Sequence, residues 1–292
     1  MKQIVVLSGK GGTGKTSVVA ALAHLASQEM RLVLADADVD AANLELVLAP
    51  QQQEEHLFEG GAVAAIMRER CQACGVCAEV CRFDAIVAGV PAYRVEALAC
   101  EGCAACFYQC PHEAIRMLPQ QAGLWRRSDT RFGPLFHAHL FAGQENSGKL
   151  VTAVKQAARQ AAVDQGADLL LVDGPPGIGC PVIAACSGAD VALLVVEPTV
   201  AGVHDLVRVL EAVEHFGVKA YVLINKVDIS VARAEEIRQF CQSRTIAIVG
   251  HVPYDDVVTQ AMVSGQPVTE YTDGPVAQAL RQVWRQISRR SQ

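Results

Sequence analysis

Runs of consecutive apolar residues recur along the chain, at 4–9 (IVVLSG), 32–36 (LVLAD), 169–174 (LLLVDG), 191–197 (VALLVVE), 221–225 (YVLIN) and 246–250 (IAIVG). Continuous apolar runs of this length predict strands covered on both faces. Residues 15–28, 149–164, 203–215 and 231–242 read as helices between them. Strands alternating with helices imply a doubly wound, mostly parallel α/β sheet. The strand at 32–36 and the next at 169 lie too far apart for an ordinary crossover, so an insert is expected between them.

The insert contains a repeat. Moving CQACGVCAEVCRFDAI by 29 residues superposes it on CEGCAACFYQCPHEAI, with all four cysteines coincident, Ala85 on Ala114 and Ile86 on Ile115. The flanks APQQQEEHLFEGG and LPQQAG are polar and rich in Pro, Gly and Gln, which predicts joints. They delimit an inserted domain at 61–119 within an outer domain of 1–60 and 120–292.

Both runs read C-x₂-C-x₂-C-x₃-C, the bacterial ferredoxin spacing for two [4Fe–4S] clusters. A tight loop aims three thiolates at one cube, and the fourth cysteine crosses to the other. Cluster I would then take Cys71, Cys74, Cys77 and Cys110, and cluster II Cys81, Cys100, Cys103 and Cys106. Zinc knuckles also use paired C-x₂-C elements, but two-two-three spacing repeated twice suits them poorly. Pro111 follows the second run, as in the ferredoxin signature, whereas Arg82 stands at that place after the first and brings a positive charge near cluster II. The insert reads as a small α+β ferredoxin-like domain.

GKGGTGKT, Gly9 to Thr16, satisfies G-x-x-x-x-G-K-[ST] between an expected strand and an expected helix. Gly9, Gly11, Gly12, Thr13 and Gly14 would turn backbone amides toward phosphate oxygens, and the helix start adds its positive dipole end. Lys15 would bridge the β- and γ-phosphates, Thr16 would offer a hydroxyl to Mg²⁺, and Ser17 follows in the same turn.

Bulk properties narrow the partners. The chain has 292 residues, 51% hydrophobic, 19% charged, with a net charge of -6, so the balance gives no argument for nucleic acid. No apolar run reaches the ~18 residues of a membrane span. MKQIVVLSGKGG enters the strand-and-loop pattern directly and has no cleavage site, which predicts a cytoplasmic protein. Eleven cysteines in that compartment point to metal rather than disulfides, and eight lie between Cys71 and Cys110. Cys186 and Cys241 fit core packing.

With Lys10 the loop resembles the KGGxGKT loop of the MinD/ParA/Mrp class of P-loop ATPases, which includes the nitrogenase iron protein. VLADADVDAANL, LLLVDGPPGIG, NSGKLVTAV and HVPYDDVVTQAM extend the resemblance over nearly the whole chain. It implies that Lys10 reaches nucleotide held by a partner subunit, in a homodimer or a heterodimer with a related ATPase. By the same resemblance Asp38 orients the attacking water, with Asp36 or Asp40 in support, and Asp173 enters the Mg²⁺ shell. Asn225 and Pro253 would contact the base. INKVD also reads as the guanine-recognition motif N-K-x-D, but the Lys10 loop favours ATP over GTP. Cys180 matches a cysteine of the nitrogenase iron protein that ligates a cluster shared between subunits; the alternative is a small buried residue at a helix start.

The resemblance implies ATP/ADP, Mg²⁺ and two [4Fe–4S] clusters, serving a protein client for electrons or metal cofactor in metallocofactor maturation. The alternatives are an ATP-gated reductase and a MinD-like positioning ATPase. For the last, Leu280, Val283, Trp284 and Ile287 form an apolar stripe among arginines that could lie on a membrane or pack on the core.

Overall fold

The computed structural model describes residues 1–144 and 147–290; Asn146, the first residue of the NSGKLVTAV match, lies outside them. Along the chain run β1 (Lys2–Ser8), α1 (Lys15–Ser27), β2 (Leu32–Asp36), α2 (Leu44–Leu48), β3 (Gln51–Ile66), α3 (Val76–Glu79), β4 (Ile86–Val87), β5 (Arg94–Val95), α4 (Ala105–Gln109), β6 (Ile115–Thr130) and β7 (Gly133–Leu140). Then follow α5 (Ser147–Asp164), β8 (Leu169–Pro176), α6 (Cys180–Cys186), β9 (Val191–Val196), α7 (Val200–His215), β10 (Lys219–Asn225), α8 (Val231–Ser243), β11 (Ala247–Val252), α9 (Val257–Val263), α10 (Val268–Tyr271) and α11 (Pro275–Arg290). Two compact units result: Met1–His56, Trp125–His139 and Ser147–Gln292 form the first, Leu57–Leu124 and Leu140–Asn146 the second.

The sheet order is β11-β10-β9-β1-β8-β2-β7-β6-β3. From β11 to β7 neighbouring strands pair in parallel. Ile4–Leu7, Leu32–Ala35 and Val191–Val196 are buried without interruption, as helices on both faces require. In α1 every residue from Val18 to Ala23 is buried, so this helix is sealed all round by its neighbours. β1 lies between β8 and β9, where the strand order reverses, and the carboxyl ends of the strands there form the ligand crevice of such folds.

The apolar stripe of α11 is spent on the core. Val283 and Ile287 are fully buried, and Trp284 Nε1 donates to Glu29 Oε2 at 3.2 Å. The face that membrane binding would need is covered.

The two polar flanks are extended strands and not loops, and the boundary of the units falls at His56/Leu57 within the first and at Leu124/Trp125 just after the second. Both lie in 16-residue strands, β3 and β6. Glu54 pairs with Arg127 and Glu55 with Arg126, each at 2.8 Å, and His56 stacks on Trp125 at 4.1 Å. Successive residues of one strand thus meet successive residues of the other in reverse order, as in antiparallel pairing. β3 ends the sheet, and its first seven residues are exposed. An edge strand wetted on both faces carries no apolar alternation, and its charges guard the open edge.

In the second unit the 29-residue repeat extends to the backbone. Ala73 and Gly102 share positive φ (53° and 65°), as do Gly75 and Ala104 (84° and 61°) and Asp84 and Glu113 (51° and 48°). α3 and α4 start at equivalent positions. Ala64, Cys77, Ile86, Cys106 and Ile115 form the core of this unit.

The seating of α11 gives a stability prediction. Ile287→Ala lowers unfolding free energy by about 2–5 kcal/mol in urea titration, as deletion of a buried side chain does. Exposed Arg285→Ala stays within about 0.5 kcal/mol of the parent. Equal losses for the two would show that the stripe is not in the core.

Candidate nucleotide site and cysteine cavities

The loop after β1 is shaped by two left-handed glycines, Gly12 at φ 78° and Gly14 at φ 86°. A Cβ on Gly14 would also come within 2.4 Å of Asn225 Nδ2. That amide donates to Thr13 O at 2.7 Å, so the end of β10 pins the loop at its tightest point. Gly9 contributes close approach instead. A Cβ there would meet Asp205 Cβ at 2.2 Å, so its missing side chain lets the loop pack on α7.

A cavity of about 430 Å³ opens beside the loop, within the range of small-molecule sites. Gly12 to Ser17 and Asp38 line it, together with Asn225, Pro253 and Tyr254 and the apolar Val252, Val258 and Met262. The lining thus combines polar groups suited to phosphates with apolar groups suited to a base. Gly9, Gly11 and Lys10 do not line this cavity.

Charge is concentrated at the strand ends. Lys15 Nζ lies 3.0 Å from Asp173 Oδ1 and 3.6 Å from Asp38 Oδ2. Burial works to strip the Lys15 proton, but Asp173 and Asp38 outweigh it and the pKa is raised. Asp36 is paired across the sheet with Asp173 and fully buried. Burial and then Asp173 push its pKa well up, while its carboxylate accepts from the Leu44 and Asp38 amides at 3.0 and 3.1 Å. Burial also raises the pKa of Asp38. Asp40 is exposed in the following turn.

Among the described residues, two buried side-chain oxygens at this site lack a hydrogen-bond partner, Thr13 Oγ1 and Asp173 Oδ2; away from it, the buried Gln3 side chain is also unpartnered. Orphaned buried oxygens at such a site fit groups that a nucleotide and a hydrated cation would satisfy. Thr16 lines the cavity, whereas Asp173 is fully buried behind Lys15 and does not; their oxygens are of the kind Mg²⁺, a hard ion, takes.

Lys10 lies against its own chain. Its Nζ is 3.0 Å from Glu197 Oε2, and Glu197 also bonds Lys226, which donates to Gly12 O at 3.1 Å. Burial opposes ionisation of Glu197, yet hydrogen bonds from Lys226 and Lys10 hold its pKa below the usual range. Glu197 belongs to no motif of the sequence; its only signal there is a carboxylate ending the VALLVVE run. Asp228 accepts from the Tyr254 amide at 2.8 Å and so organises the base-side loop.

In the second unit, Cys71, Cys74, Cys77 and Cys110 line one cavity, and Cys81, Cys100, Cys103 and Cys106 line another. Each holds three thiols of one run and the last thiol of the other. Cys77 and Cys106 are buried, and burial raises the pKa of each. Among the described residues no three His, Cys, Asp or Glu side chains close on a single point as ligands of one ion do. Cys180 opens α6 and is exposed, so it is not a buried packing residue; Cys186 and Cys241 are buried.

Residues 4–268 match the CobQ/CobB/MinD/ParA nucleotide binding domain, CbiA. The chain belongs to this family of P-loop ATPases. An uncharacterized protein of Methanocaldococcus jannaschii is 36% identical over 230 residues, covering 77% of this chain and 78% of its own. The septum site-determining protein MinD of Bacillus subtilis is 24% identical over 292 residues, 97% and 88% of the two chains. The fold is that of the Pyrococcus horikoshii MinD solved with Mg-ADP, with a TM-score of 0.62 at 17% identity over 99% and 97% of the chains.

In a P-loop ATPase, nucleotide binding and turnover can be measured separately at Lys15 and Asp38. Lys15→Ala is expected to weaken MgATP binding by about 100-fold or more in calorimetry, since it removes the cation facing the phosphates. Asp38→Ala is expected to keep binding while kcat falls by roughly 10²–10⁴-fold, the range for a positioned acid–base group. Comparable binding losses in both variants would contradict these separate roles.

Proposed function

We propose that this ATPase couples nucleotide state to electron transfer or delivery in iron–sulfur or other metallocofactor maturation. It would work in the cytoplasm as a dimer with nucleotide at the interface, and its second unit would hold two [4Fe–4S] clusters. The observation that carries the reading is the thiol composition of the two cavities. Cys71, Cys74, Cys77 and Cys110 rim one and Cys81, Cys100, Cys103 and Cys106 the other. A four-iron cube takes thiolates at its separate corners, so its ligands ring a cavity instead of converging on one point. The left-handed residues repeated in both loops support this fit, because they turn successive amides inward to make an anion-binding concavity. When bound, such clusters accept and give single electrons.

On the nucleotide side, Lys15 neutralises phosphate charge and Asp38 orients the attacking water. Thr16 and Asp173 would hold Mg²⁺, which screens the phosphate oxygens. Phosphates drawing on Lys15 loosen its hold on Asp173 and Asp38, so the strand ends respond to the nucleotide. Lys10 must leave Glu197 to reach nucleotide on a partner subunit. Asn225 and Pro253 face the base, and ATP is the substrate.

A MinD-like ATPase acting through a protein partner is the second reading, favoured by a fold shared over nearly the whole chain. The MinD of Aquifex aeolicus, solved in complex with MinC, has a TM-score of 0.59 at 19% identity. The burial of the α11 stripe supports a protein partner over a membrane surface in that reading.

Anaerobic purification tests the clusters. The chain is expected to carry iron and sulfide in equal amounts, and Cys77→Ser or Cys106→Ser each to remove about half of the iron, as ligand loss at one of two sites should. Zinc in place of iron, or iron content indifferent to both substitutions, would overturn the cluster assignment.

A further inference from the structure

Three polar side chains that neither site uses meet between α2 and the β6–β7 hairpin. Ser128 Oγ lies 2.9 Å from His137 Nε2, and His137 Nδ1 lies 2.9 Å from Glu45 Oε2. Ser128 and His137 are 1% and 4% exposed. Burial pulls the His137 pKa down, Glu45 opposes the shift and Arg126 adds to it. The ring is therefore neutral near pH 7. A carboxylate only accepts, so Nδ1 carries the proton and donates to Glu45, while Nε2 accepts from the Ser128 hydroxyl.

Serine, histidine and carboxylate in this order form the constellation of a hydrolytic triad. Ser128 is buried, however, which closes its hydroxyl to a substrate. The constellation holds α2 instead. Leu44 donates its amide to Asp36, and the next residue is Glu45. At the other end Arg131, in the hairpin turn, donates to Leu48 O at 3.0 Å and pairs with Glu270 at 2.7 Å. A helix of five residues cannot keep its place by its own propensity. It is held at its first turn by His137 and at its last by Arg131.

We propose that Glu45, His137 and Ser128 are positioning residues for ATP hydrolysis. They lock the Asp36–Leu44 segment, which carries Asp38, to the β6–β7 hairpin, so that rearrangement around the γ-phosphate is transmitted to β6. This role rests on the ATPase site alone and is independent of what the cysteines hold.

Trp125, on β6 and stacked on His56, is a built-in reporter. In the full chain labelled with 5-fluorotryptophan, and assigned with Trp125→Phe, MgATP is expected to shift the Trp125 fluorine resonance. Glu45→Ala and Ser128→Ala abolish that shift and lower kcat by about tenfold or more, with KM moved less than about threefold. Glu45→Gln keeps an acceptor oxygen and restores both. A resonance in the parent that ignores MgATP, or one that still responds in Glu45→Ala, would overturn the relay. If the alanine variants do not fold, the ring nitrogens of His137 in the parent decide. The relay requires the Nδ1–H tautomer near pH 7, and an Nε2–H tautomer contradicts it.

Discussion

A single buried ammonium organises the nucleotide side of this protein. Lys15 stands among Asp173, Asp38 and the fully buried Asp36, and without it these carboxylates would face one another at the ends of β2 and β8. Uncompensated charge in such a place is costly, so removing the lysine or drawing it away must rearrange the acids. In the proposed function a triphosphate does the latter. The substrate would then compete for the ion that holds the site together, which would make the site responsive.

The rigid surroundings let that response take a direction. Asn225 and Lys226 fasten the loop to the end of β10 through the carbonyls of Thr13 and Gly12. Lys155 of α5 donates to the carbonyls of Ala184 and Ala185 and so holds the far end of α6, the helix that follows the Asp173 strand. Asp36 fixes the amides of Asp38 and Leu44, at the start of α2. Asp38 itself retains partial solvent access, which the water-orienting role proposed for it requires.

Much of this was legible in the residues because it depends on local rules. The apolar runs of β1, β2, β8, β9 and β10 follow from burial on both faces, and the loop glycines follow from backbone shape and close approach. The grouping of the cysteines was taken from the ferredoxin pattern of spacing, and the same eight residues line two cavities, four in each. What stayed hidden depends on long-range pairing. β3 and β6 owe their extension to each other, through Glu54–Arg127 and Glu55–Arg126, and neither has an apolar period of its own. Ser128, His137 and Glu45 are far apart in sequence and unremarkable singly; only the hairpin brings them together. Glu197 acquires meaning only once Lys10 and Lys226 converge on it.

If the cysteine-bearing unit holds the proposed clusters and ATP turnover serves them, nucleotide state must govern their potential. Potentiometric EPR of the anaerobically prepared chain, with and without MgATP, reads this coupling. Nucleotide is predicted to move at least one midpoint potential by about 60 mV or more, a tenfold change in a one-electron equilibrium. Titration curves that superimpose while nucleotide is demonstrably bound would contradict the coupling.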